Sequence, residues 1–418
     1  MRILWCVNFV LPDAARTIGL KSSPLGGWMV SLLADLSATA GVELAVATLY
    51  GGHELKKISV NNVTYFLIPG GPRAMLKRSN EKLRGYWREI AADWRPDVNH
   101  LHGTEYSHGL ALLEACPHIP AVVSIQGLVG VYERYYYAGL EFADVFLRPS
   151  LRDLIRLDPI WNGRLSFQKR AVAERDILRR TRHVIGRTTW DYANVKAINP
   201  AATYHHCDEG LRDPFYEATW DIAKATRHTI FTTQASYPIK GFHILLKAVA
   251  LLKRDYPNIK VCAAGQNILG SSTFSALRMG GYALYVKRLI SSLGLQNHVE
   301  FTGMIDAQGV AQQLLAAHAF VIPSAVENSP NALAEALLVG TPCIGAYVGG
   351  VPDMLEQGKC GMLYPFAEEA MLADYIRRLF TSDDLALRFS QAGRTSSHQR
   401  HNRSNIAKRM VEIYSTVR

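Results

Sequence analysis

Glu327 and Glu335 lie eight positions apart in the stretch AHAFVIPSAVENSPNALAEALLVGTP, and their spacing and surroundings point to chemistry. The apolar run Ala319 to Pro323 predicts a buried strand. After a polar turn, Ser329-Pro330 predicts a helix over Pro330–Leu338 that buries Leu333, Ala336 and Leu337. Serine caps a helix well, and proline at the first helical position lacks only an N–H that would be unsatisfied anyway. The amides of Asn331, Ala332 and Leu333 then point out of the helix start, where the dipole favours an anion such as phosphate. Glu327 falls beside that anion. Glu335 falls more than a turn inside the helix, where a carboxylate accepts hydrogen bonds from sugar hydroxyls without meeting phosphate charge. The pattern reads as a site for a nucleotide-linked sugar.

This segment resembles the signature of retaining glycosyltransferases of family 4: a first glutamate, a helix start, a second glutamate, then small residues ending Gly340-Thr341-Pro342. Other stretches, in matching order, extend the resemblance over most of the chain. Gly26-Gly27 resembles the Gly-Gly that packs on the donor diphosphate, and Lys240-Gly241 the Lys-Gly that places an ammonium there. Gly303-Met304-Ile305 resembles the loop that holds the base, and Gly349-Gly350 the loop near the sugar. Asp353 stands where the family more often has glutamate. The resemblance implies an α/β chain of the GT-B fold, two Rossmann-like domains facing each other across a cleft. It implies that Glu327, holding the donor sugar, and Lys240 and Gln126 serve catalysis. Gly26, Gly27, Ser329, Asn331, Ala332, Leu333, Glu335, Gly303, Met304, Ile305 and Gly349 would line the donor site, with Glu335 on the ribose. His100 and His102 in DVNHLHG, with Arg187 in VIGRTTWD, are candidates for the acceptor side.

Two departures stand out. Gln126-Gly127 replaces a histidine that contacts the donor sugar in the family, and Gln234-Ala235 replaces a Gly-Arg that brings a second cation. Arg187 or Lys21 could substitute for that arginine. The expected activity is transfer of a sugar, with retention, from a nucleotide diphosphate to a glycan or polyprenyl-linked acceptor in surface polysaccharide assembly. No metal and no cofactor beyond the co-substrate is expected. An epimerase-like sugar-nucleotide enzyme on the same fold, or an inactive nucleotide-sugar-binding scaffold, are the alternatives.

The elements that must position these residues alternate. Strands are predicted at Ile3–Val10, Glu43–Leu49, Val63–Ile68, Val98–Leu101, Ala121–Ile125 and His183–Gly186, with helices at Trp28–Ala38 and Glu81–Ala92 among them. A second series starts at Thr229, with strand Thr229–Thr233, helix Phe242–Arg254, strand Ile259–Ala264 and strand Val299–Thr302 before the glutamate segment. Such alternation implies parallel sheets wrapped by helices, with ligands beyond the carboxyl ends of the strands. The restart after HHCDEGLRDPFY divides the chain into 1–208 and 209–399, with a last helix near 400–418 crossing back in the resembled family. The tract Gly265–Gly281, rich in glycine and serine, reads as a mobile loop. No Gly-x-Gly-x-x-Gly follows the first strand, which excludes the dinucleotide fingerprint there.

With 418 residues, 48% hydrophobic and 20% charged, the chain is long enough for two cores. The start MRILWCVNFVLP reads as a buried strand rather than a signal peptide. The longest uncharged stretch, Ala336 to Pro352, is broken by glycine and proline, which excludes a membrane span. Six scattered cysteines lack metal-ligand spacing and fit a reducing compartment, hence the cytoplasm. The net charge of +10 has two dense stretches, Arg73 to Arg88 and Arg148 to Arg182. They suit an anionic membrane surface, so peripheral attachment to the inner face of the cell membrane is expected. No aromatic-basic module for nucleic acid is present.

Overall fold

The computed structural model describes residues 1–21, 26–71, 75, 80–156, 159–233, 235–265, 267–268 and 279–418. They form two compact units. One comprises Met1–Val131, Phe167–Leu211 and His401–Arg418; the other comprises Tyr132–Ser166 and Arg212–Arg400. Arg73, Lys77 and Arg78 of the first basic stretch, and residues 266 and 269–278 of the Gly/Ser tract, lie outside the described residues.

In the first unit, β1 (Arg2–Cys6), β2 (Glu43–Tyr50), β3 (Lys56–Val60), β4 (Val63–Pro69), β5 (Val98–His102), β6 (Ala121–Ser124), β7 (His183–Gly186) and β8 (Thr203–His206) make one sheet. Its order is β3-β4-β2-β1-β5-β6-β7-β8. Every described pairing is parallel except the β3–β4 hairpin. That hairpin turns on Asn61-Asn62, both at positive φ of 50° and 62°, as a two-residue turn matched to strand twist requires. Sequence reading missed β3 because its lysines break the apolar pattern: β3 is an edge strand, half in water.

Side chains of β1 alternate between two cores, as the pleat dictates. Leu4 and Cys6 pack with Trp87, Leu101 and Ile177 on one face. Ile3, Trp5 and Val7 pack with Trp28, Leu32 and Tyr414 on the other. Tyr414 belongs to the final helix, Arg403–Val417, which lies in the first unit. Its hydroxyl accepts the Trp5 indole N–H at 2.9 Å and meets His100 Nδ1 at 2.7 Å.

The second sheet has β9 (Thr226–Thr233), β10 (Lys260–Ala264), β11 (Val299–Gly303), β12 (Ala317–Ile322), β13 (Cys343–Ala346) and β14 (Met362–Tyr364). Their order is β11-β10-β9-β12-β13-β14, with parallel pairings throughout. β12 is buried at every position, the continuous apolar run of a strand covered on both faces. The division at residue 208 did not anticipate that Tyr132–Ser166 leaves the first sheet to pack with the second. His243 anchors this excursion, its Nε2 bonding the Ala138 carbonyl at 2.8 Å and its Nδ1 meeting the Tyr282 hydroxyl at 3.1 Å.

Burial without a charged partner pushes the His100 imidazole down to about 3 from its ordinary 6.5. The unfolded chain therefore binds the proton first, and stability drains as pH falls below about 6.5 toward about 3. Urea unfolding of the wild type at about pH 5 should show a lower midpoint than at about pH 7. His100→Gln should flatten that slope; an unchanged slope would assign the loss to other groups.

Candidate functional site

The carboxyl end of β12 runs into a buried turn that presents Glu327, only 6% exposed. One of its oxygens, Oε1, accepts from Lys240 Nζ at 2.6 Å and from Ser324 Oγ at 2.7 Å. Lys240 ends the short 3₁₀ turn Pro238–Lys240, which is tied to the Glu327 turn by the Ala325 N–H donating to Ile239 O at 2.8 Å. Burial works against the ammonium, but Glu327 and the Tyr237 hydroxyl outweigh it, so the lysine is held above its usual range.

Two glycines make this approach feasible. Gly241 adopts φ of +66°, and a Cβ there would lie 1.8 Å from the Pro323 carbonyl oxygen. Gly349, at φ of +53°, would place a Cβ 1.7 Å from the Glu327 carbonyl oxygen. Its neighbour Gly350 donates its N–H to that same oxygen at 3.0 Å. The Gly349-Gly350 loop is thus seated on the backbone of Glu327 itself.

The helix after the turn spans Asn331–Val339, so the cap is Pro330 and not Ser329. Ser329 makes no capping bond; its hydroxyl lies 3.7 Å from Met354 Sδ. The Leu333 amide is also not free, because it donates to Pro330 O at 3.0 Å. The cause is the extended Pro330 backbone, whose carbonyl turns into the first helical turn. The amides of Asn331 and Ala332 have no acceptor among the described residues, which leaves two bare N–H groups at the helix start.

Glu335 is 7% exposed and accepts Arg212 Nη2 at 2.7 Å. Burial pushes its carboxyl up, while Arg212 pulls it down without cancelling the effect. Sequence reading missed Arg212, whose partner is 123 residues away; Ser324, hidden in an apolar run, was missed too. Gly303, at φ of +74°, ends β11 with open space where a Cβ would sit, and Met304 beyond it is 64% exposed. Ile305 precedes Asp306, which caps the next helix by accepting from the Gly309 N–H at 2.8 Å. Gln234 lies outside the described residues.

In the first unit, Gly26 caps the helix Gly27–Ser37 at φ of +75°, and a Cβ there would strike the Phe9 ring at 2.0 Å. Gln126 donates to Glu209 Oε1 at 3.0 Å. Arg187 is paired with the same carboxylate and donates to the Ile125 carbonyl. Arg187 is 5% exposed, so it serves the interior of its unit and offers no open cation, contrary to the expectation. His100 and His102 are likewise core residues rather than acceptor contacts. His100 spends both ring nitrogens on Tyr414 and Ser124, each at 2.7 Å. His102 packs against His100 and Trp5 with tilted rings, the centroids at 3.8 Å and 4.2 Å. Burial holds both imidazoles neutral, far from the range in which a histidine titrates usefully. Among the described residues, no group of three or more His, Cys, Asp or Glu could hold a metal ion.

Residues 219–396 match the family model of the glycosyl transferases group 1. The matched region holds Lys240, Glu327, Glu335 and both bare amides. D-inositol 3-phosphate glycosyltransferase of Corynebacterium urealyticum is 28% identical over 180 residues, which are 43% of this chain and 41% of that protein. Phosphatidyl-myo-inositol mannosyltransferase of Mycobacterium leprae is 26% identical over 45% of this chain and 46% of its own. The alignment therefore spans less than half the length of these curated relatives. Among solved structures, sucrose-phosphate synthase from Thermosynechococcus elongatus superposes with a TM-score of 0.72 at 18% identity, covering 100% of this chain and 99% of its own. Anabaena Alr3699/HepE, solved with UDP-glucose, gives 0.68 at 16% identity with 100% of both chains covered. The fold is GT-B, with a Rossmann-like domain around each sheet.

Because Gly241 has neither the space nor the backbone angle for a Cβ, Gly241→Ala must displace Lys240 from Glu327. Thermal unfolding should show a loss of about 3 kcal/mol or more, in the range of steric and buried-charge defects. A variant as stable as wild type would contradict the close approach.

Proposed function

We propose that the chain is a retaining glycosyltransferase that moves a sugar from a nucleotide diphosphate to a hydroxyl of a glycan or polyprenyl-linked acceptor. One observation carries the reading: a half-buried ammonium, a buried carboxylate and two bare helix-start amides lie at the carboxyl edge of β12. The group 1 match, and relatives named as glycosyltransferases, support it. Neighbours solved with UDP and UDP-glucose make a uridine nucleotide the first donor to test.

In this reading the donor diphosphate lies on the Asn331 and Ala332 amides and competes with Glu327 for the Lys240 ammonium. As the bond from the anomeric carbon to the phosphate oxygen breaks, its electron pair passes to that oxygen. Lys240 and the amides stabilise the charge there, acting where charge develops. Glu327, freed of part of its pairing, holds the donor sugar and steadies the positive charge at the anomeric carbon. The acceptor oxygen forms its bond on the face the phosphate leaves, and its proton passes to the departing phosphate, so configuration is kept. Gln126 would contact the sugar by hydrogen bonds alone, since an amide cannot titrate.

Donor affinity and turnover separate the two glutamates. Glu335→Ala should weaken binding of the nucleotide sugar about tenfold or more, the worth of a charge-assisted hydrogen bond. Glu327→Gln should leave that affinity within a few-fold and cut kcat about a hundredfold. NMR of the product anomer checks retention; an inverted product would overturn the mechanism.

Surface polysaccharide assembly, with peripheral attachment at the inner membrane face, belongs to this reading. No described helix is long and apolar enough to cross a membrane. Three of the ten cations in the second basic stretch are paired, Arg148 with Asp144, Arg152 with Asp153 and Arg164 with Glu133. Exposed apolar side chains add to the attachment, above all Phe142 and Leu147, each 68% exposed. Co-sedimentation with anionic vesicles should fall about tenfold or more in Phe142→Ser/Leu147→Ser, and salt should weaken wild-type binding only in part. Binding abolished by salt and indifferent to the double substitution would contradict this surface.

A further inference from the structure

Arg212 lies outside every motif of the donor site, yet the structure ties it to the residue one helical turn inside that site. It is the first residue of the second unit after the crossing from Leu211, just ahead of the short helix Asp213–Glu217. Its Nη2 and Nε both donate to a single oxygen of Glu335, Oε1, at 2.7 Å and 3.3 Å. A guanidinium usually grips a carboxylate through both oxygens, fork to fork. Here it takes one. The guanidinium carbon lies over the Phe215 ring, 5.0 Å from its centroid, so the aromatic face backs the arginine.

The other charged groups on the elements packed around Glu335 do not replace this contact. Asp213 and Glu217, on the short helix, carry the wrong sign to steady a carboxylate. Arg394, on the helix Asp383–Arg400, is spent on the carbonyls of Ala218, Leu338 and Val339. Among the described residues, Arg212 is the cation whose charge acts on Glu335.

We propose that Arg212 is a positioning residue: it fixes the Glu335 carboxylate through one oxygen and leaves the other to accept the ribose hydroxyls of the donor nucleotide. This inference rests on the donor-site reading above. Lysine cannot reproduce the grip, because a point charge lacks the two fixed N–H groups and the flat face that Phe215 supports. A site whose buried acceptor is oriented toward a hydroxyl rejects a ligand without one, since the acceptor is then left unpaired.

The test is a binding panel of UDP, GDP and ADP, each against its 2′,3′-dideoxy analogue, on the full-length protein. Wild type should bind at least one of the three, and prefer the hydroxylated form about tenfold or more. In Arg212→Ala that preference should collapse to about twofold or less, with Arg212→Lys between the two. Arg212→Ala/Glu335→Ala should lose no more discrimination than Glu335→Ala alone, because the arginine acts through the glutamate. Unliganded melting of Arg212→Lys, whose charge is kept, separates a folding defect from lost recognition. A preference that survives Arg212→Ala overturns this inference while leaving the donor site standing. Wild type that binds without hydroxyl preference overturns the ribose role of Glu335, and wild type that binds none of the nucleotides overturns both readings.

Discussion

A lysine ammonium and a glutamate carboxylate cannot be taken out of water together unless the geometry is close and the spare valences are filled, because desolvation costs several kcal/mol for each ion. Lys240 and Glu327 meet that condition at 2.6 Å, with Ser324 donating to the same oxygen. The backbone around them is shaped by the requirement. Gly241 and Gly349 occupy left-handed conformations against carbonyl oxygens on either side of the Glu327 turn, and no other residue type fits either place. The carboxyl edge of β12 is therefore built around a charge pair as much as around its apolar strand.

What could be read from the sequence follows the range of the interactions involved. The strand, turn and helix carrying Glu327 and Glu335 are local, and their apolar runs and breakers specify them within about 25 residues. The GT-B architecture followed from the alternation of such units together with the resemblance. Reading failed where a partner is distant or a geometry subtle. Arg212 and Glu335 share no local pattern. Ser329 and Pro330 both suit a helix start, and only the extended Pro330 backbone decides which one caps it. His100 and His102 close a strand at the edge where ligands usually bind, but Tyr414, more than three hundred residues away in sequence, claims one and burial against neighbouring rings claims the other. A period-two pattern marks which face a side chain takes, not whether that face will be covered.

The first unit shows how substitution at a site can be absorbed. Gln126 stands where the resembled family has histidine, and Glu209 accepts its amide while also pairing with Arg187. Glu209 thus links the turn after β6 to the turn after β7, and its own carbonyl meets His401 Nδ1 at 2.7 Å. Three parts of the chain that are remote in sequence are held by this one residue. The orientation of Gln126 is an outcome of that junction rather than of its own neighbours.

The return of the final helix to the first unit has a consequence for biogenesis. Trp5 and Tyr414 are 409 positions apart in the chain, yet the indole N–H of one rests on the hydroxyl of the other. During translation the face of the sheet that bears Ile3, Trp5 and Val7 has the helix Gly27–Ser37 on it but lacks the final helix while the whole second unit is synthesised. The second unit can complete its sheet before the final helix closes the core of the first, so the usual order in which nascent domains mature is not followed in full. A nascent chain of this kind spends most of its elongation time with an open apolar surface, the circumstance in which chaperone engagement matters most.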